Sequence, residues 1–374
     1  NGVVGYHSVA HVNKAGIIIG RKGSIGEIHL SKVPFWPIDT SFYVVKDSFN
    51  ELLFAFYLLQ NLGLDEKNTD SAIPGLNREY AHSLKIKIPE TEEQRIKLGR
   101  WLYSFDKKIE LNNQINDTLE AMAQAIFKSW FVDFDPVHAK AKAKADGLDA
   151  EGINRAAMAV IASKSDAELT KMKADSPAEY EQLKTLASLF PDQLEESELG
   201  LIPQGWEVKL LNDLVDVIRG RSYKSVELKD SKTALVSLKS IKRGGGYQYG
   251  GLKEYIGDYR PEQEVYFQDI VIACTDMTQA AEVVGQTAII PEEKDYDHLV
   301  ISLDLSVIRS QNKNFNYYFY GLSKTNQFQH HMRAHATGTT VLHLDRKAVP
   351  RYKFCQPTTS LLEFYHVFVD PFFK

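Results

Sequence analysis

The stretch TEEQRIKLGRWLYSFDKKIELNNQINDTLEAMAQAIFKSWF, residues 91–131, carries no proline and a single glycine, Gly99. Its apolar residues Leu98, Leu102, Phe105, Ile109, Ile115, Leu119, Met122, Ile126 and Trp130 recur mostly at intervals of three or four. That spacing predicts one long helix with a single apolar stripe. Thr91 followed by Glu92, Glu93 and Gln94 supplies an N-cap, an acidic first turn and a capping-box glutamine. About 40 residues at about 1.5 Å each span about 60 Å. A helix so long, with so narrow a stripe, is most simply buried against a second long helix, with Asn112 and Asn116 on or near the seam fixing its register. A core helix of an ordinary all-α domain is the competing reading.

Just before this helix stands IPGLNREYAHSLKIKIP, residues 73–89, and VLHLDRKAVPRYKFCQP, residues 341–357, echoes it 268 positions later. The ungapped offset sets Leu76 on Leu344, Asn77 on Asp345, Arg78 on Arg346, Lys85 on Lys353 and Pro89 on Pro357. Both copies read as a turn followed by a short strand that ends at proline. The order around them is shared as well. GIIIGRKGSIGEIHL (16–30), TSFYVV (40–45) and the helical NELLFAFYLLQNL (50–62) precede the first copy. QEVYFQDIVIA (263–273), EVVGQTAII (282–290), HLVISLDLSVI (298–308) and a helical stretch from residue 316 precede the second, with a further strand expected at SLKSI (237–241). The repeat is therefore one of whole domains, with a period too long for a solenoid. Between the copies, residues 133–189 are rich in Ala, Lys and Glu and helical by propensity, with DSPAEYEQL (175–183) a short capped helix. Pro, Gly and turn signals from residue 187 open a new domain near Leu199. The layout expected is 1–89, 90–198, 199–357 and 358–374, the last segment beginning a second long helix as residues 91–131 began the first.

At 374 residues, 44% hydrophobic and 25% charged, the composition fits two globular domains and a connector. Two cysteines, Cys274 and Cys355, make no disulfide framework, and a reducing cytoplasm is the compartment expected. The longest apolar runs, at 52–59 and 158–162, fall short of the roughly 20 residues of a membrane span. Asn1 opens the chain within a strand-like pattern, as a fragment would. The net charge of -5 hides an uneven distribution: Lys plus Arg against Asp plus Glu is 9 against 8 in residues 1–88, 14 against 21 in 89–198 and 20 against 18 in 199–357. Any nucleic-acid contact must come from local clusters rather than a broadly basic face.

The run from Ile88 to Val137, IPETEEQ…KSWFVDFDPV, followed by LFPDQLEESELGLIPQGWE (189–207), resembles the central region of the specificity subunit of type I restriction-modification systems. The resemblance implies an α+β fold: two α/β target-recognition domains separated by long conserved helices that form an antiparallel coiled coil. It implies that each recognition domain reads one half of a bipartite double-stranded DNA target, and that the helices dock methyltransferase subunits. Restriction (translocase) subunits join the same complex, with S-adenosylmethionine, ATP and Mg expected on those partner subunits only, and with no membrane partner. Two departures stand out. The first recognition domain lacks its opening part when set against the second, and the last helix is cut short.

Candidate DNA contacts lie in the loops between strands. GRKGSIG (20–26) offers Arg21, Lys22 and Ser24 on glycines that let backbone approach a phosphate, though a tight hairpin turn with solvated charges reads the same way. IRGRSYKS (218–225) and LKSIKRGGGYQYGG (238–251) gather Arg219, Arg221, Lys224, Lys242 and Arg243 with Gly and Tyr. ACTDMTQAA (273–281), with Thr275 and Thr278, matches GRKGSIG by position in the repeat. HATGTT (335–340), with Thr339, leads into the repeated turn, where Arg78 and Arg346 are the duplicated cations, either facing DNA or closing a structural ion pair. His330, His331 and His335 form a weak metal candidate without cysteine or HExxH, and PEEKD (291–295) a weak nuclease-like string. No Gly-rich S-adenosylmethionine loop or helicase P-loop is present, so a subunit without chemistry of its own is expected. The alternatives are a methyltransferase or nuclease with fused recognition domains, and a coiled-coil adaptor with no DNA role.

Overall fold

The computed structural model describes residues 3–64, 75–277 and 280–374, and the chain divides into two units, Asn1–Ile115 and Asn116–Lys374. Helix and strand segregate as an α+β protein in both. In the first unit, β1 (Gly16–Gly20) lies between β2 (Ile28–Ser31) and β3 (Ser41–Val44), antiparallel to each. Period-two alternation turns Ile17 and Ile19 inward onto Leu52 and Phe56 of helix α1 (Phe49–Gln60). Ser48 starts that helix by accepting from the Glu51 N–H at 3.2 Å. A short helix, α2 (Arg78–Ser83), begins at Asn77, whose Oδ1 accepts from the Tyr80 N–H at 3.0 Å.

The long helix is α3 (Glu92–Phe131). Its capping box forms as expected: the Gln94 N–H donates to Thr91 Oγ1 at 3.3 Å, and the Thr91 N–H to Gln94 Oε1 at 3.4 Å. Such a cap is worth about 1 kcal/mol. Gly99 is the residue that lets α1 lie against it, since a Cβ there would stand 2.6 Å from the Phe54 nitrogen. Tyr57 Oη adds a bond to Asp106 at 2.5 Å.

In the second unit the helix ends where Phe134 takes a left-handed φ of 53°, and α4 (Asp135–Ala145), α5 (Ala150–Ala162), α6 (Asp166–Asp175) and α7 (Pro177–Ser188) follow. Met158, Leu169 and Tyr180 give this helical stretch a small core of its own. Beyond it come the hairpin β4 (Leu194–Ser197) and β5 (Gly200–Pro203), then β6 (Glu207–Leu210) and β7 (Val215–Arg219). The chain continues through β8 (Thr233–Val236), β9 (Lys253–Glu254), β10 (Glu264–Val265), β11 (Ile270–Ala273), β12 (Thr275–Asp276), β13 (Thr287–Ile289), β14 (His298–Ile301) and β15 (Leu305–Ser310). It closes with helices α8 (Asn316–Ser323) and α9 (Asn326–Ala334), strands β16 (Ala336–Thr337), β17 (Leu342–Leu344) and β18 (Lys353–Gln356), and helix α10 (Thr359–Val369).

Two four-stranded sheets, β13-β11-β15-β7 and β10-β14-β8-β9, enclose one core, and α8 covers the far face of the first. The run IVIA of β11 is apolar throughout because both faces are covered: Val271 and Ala273 pack towards Val236 and Ile301, Ile270 and Ile272 towards the aromatic cluster of α8 and α10.

Three expectations are corrected. SLKSI is not a strand; the strand lies just before it at β8, and Leu238–Ser240 is a 3-10 turn held by Ser237, whose N–H donates to Ser240 Oγ at 3.3 Å. The two apolar runs read as single strands, 263–273 and 298–308, each split in two at a turn. Of the two repeated strands only the second forms: β18 pairs with β6, whereas residues 84–89 have no strand partner among the described residues. The apolar stripe of α3 is also covered only in part. From Ala123 to Phe131 it is buried, with Trp130 packed 5.5 Å from Phe368 of α10 and Gly321 of α8 leaving no room for a Cβ against Phe127. Leu98, Phe105, Ile109 and Ile115 remain 38–58% exposed. No helix is long and apolar enough to cross a membrane among the described residues.

Candidate nucleic-acid interface

Four backbone hydrogen bonds organise the first unit around the end of β1. The Gly20 N–H donates to Glu27 O at 2.9 Å, Gly26 to Gly20 O at 2.9 Å, Arg21 to Thr40 O at 2.9 Å and Leu76 to Arg21 O at 2.9 Å. The second unit repeats each at the end of β11. Ala273 donates to Gln286 O at 2.9 Å, Gly285 to Ala273 O at 2.8 Å, Cys274 to Asp304 O at 2.7 Å and Leu344 to Cys274 O at 2.9 Å. The strand order agrees too, β2-β1-β3 against β13-β11-β15. Gly26 and Gly285 take the same left-handed conformation, with φ of 72° and 79°. The repeat seen in the sequence is thus a repeat of hydrogen-bonded frame, and it places GRKGSIG opposite ACTDMTQAA as expected.

On this frame the duplicated turn ends alike in both units. Asn77 caps α2, and its counterpart Asp345 accepts from the Lys347 N–H at 3.0 Å. Arg78 and Arg346 follow, both exposed, and neither has a hydrogen bond or ion pair among the described residues. Among the described residues, the structural ion pair considered for these arginines does not form. Lys85 and Lys87 in the first unit, and Lys347 and Arg351 in the second, are likewise exposed and outside any ion pair among the described residues, which adds cations beside each turn.

The other candidate residues divide into those left open and those held internally. Lys22, Lys224 and Arg219 are exposed, and Arg21, also exposed, sits 5.6 Å over the Phe42 ring. Ser24 lies in the same loop, half-buried, and Thr339 is exposed in the hairpin β16–β17; each makes an interaction within the protein. Gly20 allows that first loop to close, because a Cβ would meet Ser24 O at 1.8 Å. Arg221 instead donates to Tyr255 Oη at 2.6 Å and pairs with Glu227 at 3.5 Å, with the Tyr255 bond holding its guanidinium above its ordinary pKa. Lys242 pairs with Asp117 at 2.8 Å and Arg243 with Glu282 at 3.4 Å. Thr275 is buried and donates to Asp304 Oδ1 at 3.0 Å, so its hydroxyl serves the loop rather than the surface. Thr278 lies outside the described residues. Asp276, not singled out from sequence, is buried and accepts from the Val283 and Val284 N–H groups at 2.6 and 3.1 Å, pinning the far end of that loop.

The weak metal and nuclease candidates resolve as structure. His331 Nε2 donates to Ala348 O at 3.0 Å, His335 Nδ1 to His331 O at 2.8 Å, and no group of three potential ligands gathers among the described residues. In PEEKD, Glu293 caps its own turn by accepting from the Lys294 and Asp295 N–H groups at 2.8 Å.

Residues 1–121 match the type I restriction modification DNA specificity domain. The chain is 39% identical over 198 residues to the type I restriction enzyme HindI specificity subunit of Haemophilus influenzae, a match over 50% of this chain and 43% of that protein. It is 21% identical over 373 residues to the MjaIX specificity subunit of Methanocaldococcus jannaschii, covering 96% of this chain and 71% of the relative. Among solved structures, the type I restriction-modification S subunit from M. genitalium superposes with a TM-score of 0.43 at 12% identity, over 99% of this chain and 79% of that one. The HsdS subunit from Thermoanaerobacter tengcongensis does so with a TM-score of 0.32 at 13% identity, over 96% and 72%. Residues 1–121 thus resemble the type I restriction modification DNA specificity domain, and the chain is similar to type I restriction enzyme specificity subunits while spanning less than half the length of the HindI relative.

Proposed function

We propose that the chain is a sequence-specific DNA-recognition subunit, without catalysis of its own, in a type I restriction-modification complex. Each recognition module, residues 1–89 and 199–357, takes one half of a bipartite double-stranded target. The helical spacer, residues 90–198, and the helix from residue 358 pair as an antiparallel coiled coil and dock methyltransferase and restriction subunits, which carry S-adenosylmethionine, ATP and Mg. The reading rests above all on Arg78 and Arg346, an exposed cation with no ion pair among the described residues, at the same place on two copies of one frame. An exposed cation with no partner among the described residues is free to meet phosphate. Its recurrence in two modules with different loops suits positioning on the backbone rather than base reading. The open loops beside it differ between modules and suit the base edges.

Exchange of residues 207–357 for the matching segment of a relative, in the assembled complex, is expected to change one half of the methylated motif and leave the other, as read by mapping methylated bases in the host genome. A change in both halves, or in neither, rules out modules that read independently.

A further inference from the structure

The β12-β17-β16 sheet stands apart from the two core sheets of the second unit. Leu342 and Leu344 of β17 and Ala336 of β16 are half-buried, whereas Thr337, Gly338, Thr339, Thr340 and His343 are exposed. His343 lies directly opposite Thr337 in register, so the two side chains stand together on one face. The hairpin is held firmly at its base. Thr275 and Asp276 pair with His343 and Leu342, Leu344 donates to Cys274 O at 2.9 Å, and Asp345 donates to His335 O at 2.9 Å. Its tip is tight: Gly338 has a φ of 140°, and a Cβ there would come within 2.0 Å of Val341 O.

Two features separate this ribbon from an ordinary surface hairpin. Residues 335–344 contain no carboxylate, while the two acids beneath it are engaged, Asp304 with Thr275 and Asp276 with the Val283 and Val284 amides. Asp345 comes next, its Oδ1 accepting from the Lys347 N–H at 3.0 Å, and is followed by Arg346 and Lys347, exposed and outside any ion pair among the described residues. The outward face thus offers hydroxyls, methyls and an imidazole beside phosphate-seeking charge. Two strands about 4.8 Å apart fit a major groove about 12 Å wide, where threonine can donate to or accept from any base edge and its methyl can pack on thymine.

We infer that the β16–β17 hairpin is the base-reading element of the second module, with Thr337, Thr340 and His343 meeting base edges in the major groove while Arg346 holds the adjacent phosphate. The inference rests on the DNA-recognition reading above. It is tested by enrichment of double-stranded DNA from a random library on the full chain, comparing wild type with a T340V/H343A variant of matched melting temperature, and with R346A. Wild type is expected to enrich a defined motif. The double variant should lose about tenfold discrimination at one or two adjacent base pairs in one half of that motif, while R346A weakens all sequences alike. A motif unchanged in the double variant overturns the hairpin's role and leaves DNA recognition standing. Loss across the whole motif with a lowered melting temperature makes the hairpin structural and overturns it too. Failure of the wild-type chain to enrich any motif removes the recognition reading itself, and the hairpin inference with it.

Discussion

The loop between Gly20 and Gly26 has five residues; the loop between Ala273 and Gly285, on the same four hydrogen bonds, has eleven. The shorter loop closes on glycine, with Gly20 pressed against Ser24 O and Gly23 at a φ of 77°. The longer one contains its own organising acid, the buried Asp276, and a threonine tied to Asp304. Closing a longer loop costs more chain entropy, and a fixed shape therefore requires bonds that the short loop does not. Frame and loop have separate tasks: the frame is repeated because it carries the load of folding, and the loops can diverge because the four shared bonds are made by backbone groups and do not require a given loop sequence.

The strongest way to break that comparison is to attack the shared glycine. Gly26→Ala puts a Cβ into a left-handed residue and should destabilise the first unit by about 1–2 kcal/mol. Gly285→Ala carries the same strain, and its Cβ also meets the Met332 Cβ at 2.5 Å, inside a core where Met332 is fully buried. Adding about 1–3 kcal/mol for overpacking makes it the costlier change, about 2–5 kcal/mol in all. Chemical denaturation followed by hydrogen exchange at β1 and β11 separates the two units. Equal losses would mean that the helix carrying Met332 yields, and that the second frame is softer than its packing suggests.

A smaller effect sharpens the functional half of the comparison. Arg78→Ala and Arg346→Ala should each weaken DNA binding for every sequence and lower the salt slope by about 1, with melting temperatures unchanged because neither arginine has a described partner to lose. Titration of cognate and scrambled duplexes at two salt concentrations reads both quantities. Loss in one variant only would show that equivalent frames do not present equivalent charges.

Local features were legible in the sequence and distant pairings were not. The Thr91 cap and the helical run of α3 depend on residues within a few positions of one another, and both are found as read; of the two echoed turn-and-strand copies, only the second forms its strand among the described residues. SLKSI is no strand because the Ser237 and Ser240 side chains compete for the backbone and bend it into a 3-10 turn. Residues 84–89 have strand composition yet no strand, since a strand is completed by its neighbour. The same limit governs the site. Arg221, Lys242 and Arg243 carry the composition of DNA contacts, but their partners Tyr255, Asp117 and Glu282 lie 34, 125 and 39 positions away, so pairing could not be seen. Arg78 and Arg346 differ from them in having no such partner among the described residues.

The weakest expected effect concerns pH and again divides the units. The described histidines of the first, His7, His11, His29 and His82, are exposed. The second holds His331 against Ala348 O and His366 4.8 Å from the Tyr317 ring, and burial lowers the pKa of both below 6.5, with the neighbouring His335 adding to the effect on His331. A histidine whose folded pKa is lowered binds its proton more readily unfolded. Its neutral form therefore costs nothing above pH 6.5, and stability falls as pH drops from about 6.5 through the folded values. His298 works the other way: its bond to Glu264 raises its pKa, which favours the folded state at acid pH, but it is exposed and solvent screens the gain. The balance predicts that acidification from about pH 7.5 to 5.5 loosens β11 more than β1, as hydrogen exchange corrected for intrinsic rates would report. His331→Gln, whose amide can still donate to Ala348 O, should remove much of that difference while leaving stability at pH 7.5 nearly unchanged. If β1 and β11 respond equally in the wild type, the buried imidazoles are not what titrates, and the asymmetry between the units is one of packing alone.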